Sequence, residues 1–181
     1  MRFINILSSL TLATLASARI YGVGIPSEIQ PGEDFNVTIL TENYIQSVSD
    51  ISAAFGLGER LYAGSLGSVF VGSAYLGPEK SNIVKNFTLT AKIPSTYPTG
   101  EVAYFNVAIT SLYGTLSSPT STIYNVPFVV GNATDDYMVW STNGTNTCSL
   151  FVMFYVLQYA FSVESTMIQL NIALEYVQNK K

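Results

Sequence analysis

The chain has 181 residues, of which 48% are hydrophobic and only 11% charged, with one cysteine, no histidine and a formal net charge of −4. Its few cations are scattered, so it lacks the clustered positive charge that nucleic acid or an anionic membrane surface requires. Without histidine there is no Ser/His/Asp or Cys/His arrangement, and ordinary zinc sites lack their nitrogen ligands.

Residues 1–18, "MRFINILSSLTLATLASA", carry one cation, Arg2, then an apolar stretch through Leu15 and the small residues Ala16 and Ala18 around Ser17. This pattern predicts a secretory signal peptide cleaved before Arg19. Its removal takes away Arg2 and no acid, leaving a net charge near −5. Four N-glycosylation sequons, at Asn36, Asn86, Asn132 and Asn143, agree with passage through the secretory pathway. Cys148 has no internal disulfide partner, so the fold must rest on its apolar core.

From Ile20 to Val130 apolar residues recur at every second position between Gly, Pro, Asn and Ser clusters, which is the pattern of short strands and turns. Strands are expected near 20–25, 34–42, 48–57, 68–76, 83–93, 101–112 and 121–130. About seven strands at this spacing predict an all-β, immunoglobulin-like antiparallel sandwich over residues 19–134. In "DFNVTIL", Phe35, Val37 and Ile39 share one face, and Asn36 and Thr38 the other. In "KNFTLTAKI", Phe87, Leu89, Ala91 and Ile93 face inward, and Asn86, Thr88 and Lys92 outward. Between the strands expected near 48–57 and 68–76, "GERLYAGSLGSV" holds three glycines and reads as a mobile loop. Ala103, Phe105, Val107 and Ile109 are expected in the core, with Tyr104 and Asn106 opposite. Pro127 cannot donate to a ladder, which makes the last strand an edge or bulged one.

Candidate chemistry is sparse. Paired carboxylates can hydrolyse glycosides, but Glu33 with Asp34 and Asp135 with Asp136 are adjacent and point to opposite faces of a strand. These four, and Glu42, Asp50, Glu59 and Glu101, read as turn residues and solvated surface. Asp135 and Asp136 lack the spaced oxygen ligands of a calcium loop. Neither "GVG" at Gly22 nor "GLG" at Gly56 precedes a helix start and a lysine, so neither is a phosphate loop. No catalytic residue, metal site or cofactor is expected, and the chain reads as a non-enzyme. Twelve tyrosines offer contact surface, and Tyr44, Tyr62 and Tyr75 stand out because loops or strand ends carry them.

Residues 19–56, with "ENYIQSVSDI" followed by "FG", then "GSLGSVFVGSAYLGPEKSNI" and "SLYG", resemble the necrosis-inducing secreted protein family of fungal effectors. The resemblance runs from about Arg19 to Thr134. It implies a small secreted effector of plant-associated fungi, found outside the cell and in the host cell, which binds host plant immune receptor-associated protein kinases, suppresses pattern-triggered immunity and induces cell death. On that basis Tyr44, Ile45, Gln46, Tyr62 and Tyr75 are the candidate partner-binding residues. Two other readings stand beside it. "IPSTYPTGEVAYFNVAITSLYG" also resembles the immunoglobulin-like domain of structural fungal cell-wall proteins, and the tyrosines would suit a carbohydrate-binding module making glycan contact.

Beyond Thr134, residues 135–148 read as a polar linker and 149–181 as an apolar tail. The run from Leu150 to Val163 is shorter than the roughly 20 residues of a membrane helix. Eighteen residues follow it, which does not suit a lipid-anchor signal. No membrane span is expected in the mature protein. Glycines, prolines and sequons vanish after Cys148, and residues from about Ser149 onward are expected to be retained intron or shifted-frame translation, in helical or disordered form. A spliced transcript lacking this stretch would bear that out, and tail peptides in secreted material would refute it.

Overall fold

A computed structural model describes residues 17–62 and 64–147. Residues 1–16 of the expected leader, Cys148 and the tail 149–181 lie outside the described residues, while Ser17 and Ala18, the last two residues of that leader, are described in β1. The described chain forms ten strands, β1 (Ser17–Pro26), β2 (Glu28–Ile29), β3 (Asp34–Tyr44), β4 (Val48–Gly58), β5 (Val69–Tyr75), β6 (Phe87–Lys92), β7 (Val102–Tyr113), β8 (Ser118–Val130), β9 (Met138–Ser141) and β10 (Thr145–Asn146), and one helical turn, α1 (Gly77–Lys80). They make a sandwich of two sheets, with strand orders β6-β3-β1-β9 and β10-β8-β7-β4-β5. Every pairing is antiparallel except the short parallel one of β2 on β8.

The alternation read from the sequence sets the core. Phe35, Val37 and Ile39 of β3, Leu89 and Ala91 of β6, and Ala103, Phe105, Val107 and Ile109 of β7 are all buried, while Asn36 and Thr88 are exposed. Phe105 sits at the centre, edge-on to Phe35 at 5.4 Å between centroids and stacked on Phe55 at 5.8 Å. Burial of such side chains is worth roughly 1.5–3 kcal/mol each and is the main force joining the sheets.

Four features differ from the sequence reading. Inside the stretch expected as a polar linker, β9 pairs with β1 in one sheet and β10 pairs with β8 in the other. These strands have four and two residues, too short for a period-two pattern. Their fit depends on glycines instead, because Trp140 covers Gly24 and a Cβ there would overlap its ring.

The glycine-rich loop after β4 has defined contacts. It folds back over the outer face of its sheet, where the Leu66 carbonyl accepts a hydrogen bond from Asn106 Nδ2 at 3.0 Å. Asn106 Oδ1 in turn accepts one from Asn125 Nδ2 at 2.6 Å. Asn106 does point away from the core as expected, but the loop covers it and leaves it 2% exposed. Gly67 makes this approach possible. It is left-handed at φ +94°, and a Cβ there would overlap the Leu57 carbonyl.

Pro127 fits neither of the two expected descriptions fully, since β8 has partners on both flanks. The Thr147, Val129 and Gly131 N–H groups bond to Ser121, Ser27 and Ile29 carbonyls, so odd-numbered residues of β8 present their backbone polar groups to the flank away from β7. Pro127 therefore faces the gap between β10 and β2, and Pro119 faces the same flank beyond β10. The two prolines leave only a short window in which β10 can pair.

Asp50 is buried rather than solvated, at 2% exposure. A β-bulge between Asp50 and Ser52 turns it inward. Its carboxylate accepts a 2.6 Å hydrogen bond from Ser111 Oγ and another from the Asn82 N–H, and its own N–H donates to Ser81 Oγ at 2.6 Å. Burial outweighs these donors and raises its pKa above the usual carboxylate value of 3.8. The folded state then holds the Asp50 proton more tightly than the unfolded state, so this group's contribution to stability falls as pH rises from 3.8 through the folded pKa. The stability of Asp50→Asn relative to the parent, from urea melts, is expected to improve between about pH 4 and about pH 7. Parallel pH profiles would refute this assignment.

Candidate docking site

At one end of the sandwich the two sheets part around an open cleft of about 460 Å³. Its floor joins β1 to β8. The buried Tyr124 hydroxyl donates to the Ile20 carbonyl at 3.1 Å, and burial pushes the phenol pKa well above its ordinary value. One wall comes from β1, β3 and β7. The Arg19 guanidinium contacts Glu42 Oε1 through Nη2 at 2.7 Å and Nε at 2.8 Å, and lies 4.7 Å from the centroid of the Tyr44 ring. Tyr44 in turn meets Tyr113 edge-on at 6.0 Å. The Glu42 hydrogen bond raises the Arg19 pKa further, while burial raises that of Tyr113. Arg19 therefore stays charged and Tyr113 neutral at ordinary pH.

The opposite wall is polar. Thr122 Oγ1 donates to Asn146 Oδ1 at 2.8 Å, with Thr120 beside it on β8. Residues 141–146 cross the open side from one sheet to the other. The crossing packs closely at both ends, where a Cβ at Gly22 would make a tight 3.0 Å contact with the Ser141 carbonyl and one at Gly144 would overlap Thr122.

Of the residues picked from the sequence, Tyr44 and Gln46 line this cleft, and Ile45, 95% exposed, stands in the β3–β4 turn between them. Tyr62 and Tyr75 do not join them. Tyr62 lines a second cleft of about 530 Å³ with Glu59 and Arg60, and Tyr75 ends the edge strand β5 with its ring against Gly77. Arg19, Tyr113 and Tyr124 were missed, and Glu42, read as a turn or surface carboxylate, instead pairs with Arg19. The quoted "SLYG" contains Tyr113, but only the pairing of Arg19 with Glu42 across β1 and β3 shows how the aromatic wall is held.

The four sequon asparagines are all exposed. Asn86 Oδ1 accepts the Thr41 N–H at 3.0 Å, which leaves its Nδ2, the atom a glycan would modify, unused in that bond. Asp135, weighed as a calcium ligand, instead accepts hydrogen bonds from Ser27 Oγ at 2.7 Å and the Glu28 N–H at 3.2 Å. Among the described residues no group of acidic or sulfur side chains is arranged to hold a metal ion, and no helix is long and apolar enough to cross a membrane. The cleft holds an ion pair already satisfied, aromatic edges and neutral hydroxyl and amide groups. That inventory suits recognition of a surface.

Comparison with known proteins agrees on the ancestry. The chain is 42% identical over 139 residues to Necrosis-inducing secreted protein 1 of Colletotrichum higginsianum, covering 76% of this chain and 95% of that protein. It is 43% identical over 144 residues to the protein of the same name from Colletotrichum orbiculare, covering 78% and 88%. Both relatives are named as secreted, and this chain is extracellular like them. The Nis1 family model matches residues 16–128, which include the core strands and the aromatic wall of the cleft, and the chain belongs to that family.

Proposed function

We propose that the chain is a secreted fungal effector that provokes necrosis in a plant host, and that it docks on host immune receptor-associated kinases and suppresses pattern-triggered immunity. Its leader, residues 1–18, directs it out of the cell. It acts by occupying a surface and performs no chemistry of its own. The observation that carries this reading is the convergence of Tyr44, Ile45 and Gln46 at the mouth of a cleft whose aromatic wall the Arg19–Glu42 pair already holds in place. Preorganised aromatic anchors lose little entropy on association and are the usual centres of binding energy. The kinase class comes from the family resemblance.

The test is capture of purified host kinase domains by the secreted protein, run beside insoluble glucan and chitin and beside infiltration of leaves. Tyr44→Ala and Ile45→Asp are each expected to weaken kinase capture about tenfold or more and to reduce necrosis, with Tyr62→Ala close to the parent. Capture unaffected by both changes would remove the cleft from the interface. Retention on glycan with no kinase bound would favour the carbohydrate-binding reading, for which the tyrosine, threonine and asparagine lining is also suited.

A further inference from the structure

The sheet edges of this protein are not equally protected. At the outer edge of β6, Asn86 carries a sequon just before the strand and Lys92 ends it. The strand β9 has four residues and β10 has two. The outer flank of β8 is blunted by Pro119 and Pro127. By contrast, among the described residues β5 pairs only with β4, runs for seven residues, "VFVGSAY", and contains no charge and no proline. An edge of that length and composition is a template for another strand.

We propose that β5 is the pairing edge of a symmetric dimer, with a second copy of this chain as its occupant. Side-chain directions carry the choice. Phe70, Ser73 and Tyr75 are exposed on the outer face, while Val69, Val71 and Ala74 pack toward the core. A register shift opposite Phe55 and Gly56 accounts for the three-residue step from Val71 to Ala74. Val71 and Gly72 share one bulged position, because Phe70 and Gly72 pair with the adjacent residues Gly56 and Phe55. When two copies pair antiparallel with Phe70 opposite the partner's Tyr75, that position falls opposite Ala74, and Ser73 meets the partner's Ser73. Outer residues then meet outer residues and inner meet inner. The two-fold axis generates two Phe–Tyr cross-strand pairs, the type of contact that stabilises antiparallel ladders. No like charges are brought together along the strand, although the chain as a whole is acidic.

Sedimentation of the secreted protein over a range of concentrations tests this. A reversible monomer–dimer equilibrium is expected. Phe70→Lys with Tyr75→Lys places like charges opposite each other twice and is expected to weaken the dimer about tenfold or more. Phe70→Lys with Tyr75→Glu places opposite charges in the same positions and is expected to hold the dissociation constant within about threefold of the parent. Both altered side chains are exposed, so circular dichroism of the two variants should match the parent. The proposal is overturned if the parent remains monomeric up to about 1 mM, if the two variants dimerise equally, or if β5 pairs only with a strand from another protein.

Discussion

Phe105→Ala is expected to cost about 3–5 kcal/mol of folding stability and to lower the thermal midpoint by roughly 10–20 °C. Phe105 has no solvent exposure and touches Phe35 from one sheet and Phe55 from its own. Truncation removes the ring common to both aromatic contacts and leaves a cavity that neighbouring strands, fixed by their ladders, cannot fill. Phe70→Ala provides the comparison. Phe70 is 67% exposed on the edge strand, and its loss should change stability in dilute protein by no more than about 0.5 kcal/mol. Chemical denaturation of the two variants settles the matter, and equal costs would contradict the placement of the core.

Gly67→Ala is expected to destabilise the protein by about 2–4 kcal/mol. Two effects add at this position. The left-handed backbone strains any L side chain, and the new Cβ would collide with the Leu57 carbonyl, which belongs to a paired strand and cannot move aside. The loop must lift, and Asn106 then loses its bond to Leu66. The exposed Arg60 in this loop supplies the readout, because trypsin should cut there much faster in the variant. Gly72→Ala, with no atom within 4 Å of the added methyl, should behave like the parent in both assays. Unchanged proteolysis at Arg60 in Gly67→Ala would show that the loop is not clasped as described.

Much of the sandwich could be read from alternation because each major strand is long enough for one face to repeat. Phe35, Val37 and Ile39 repeat three times, and Ala103 to Ile109 four times, so their direction is unambiguous. Short elements escaped for the same reason. Nothing in "MVWS" or "TN" distinguishes strand from linker, and their positions depend on the absence of side chains at Gly24, far away in sequence, and at Gly144, which reads only as part of a sequon.

The candidate site was half visible. Tyr44 and Gln46 flank a turn, and that local setting drew attention to them. Tyr62 and Tyr75 had the same local setting and fold elsewhere, since a tyrosine at a strand end carries no information about which end of the sandwich it occupies. Asp50 illustrates the opposite limit. Its burial follows from a bulge that shifts the phase of β4 by one residue, and an acidic side chain beside Ser49 and Ile51 gives no sign of it.

The amide pair on the outer face, buried at Asn106 and half-buried at Asn125, has a consequence for how the sheet is specified. Asn106 and Asn125 are direct cross-strand partners, and each needs the other when the loop closes over them. Sliding β7 against β8 by one step would turn Asn106 toward the hydrocarbon interior, where it would lose both the Leu66 carbonyl and Asn125. Apolar contacts alone penalise such a slip only in proportion to lost area, whereas the unsatisfied buried amide of Asn106 adds a penalty of about 1–3 kcal/mol. The pair thus acts as an alignment key, selecting one pairing of two long hydrophobic strands from the several that their composition would tolerate.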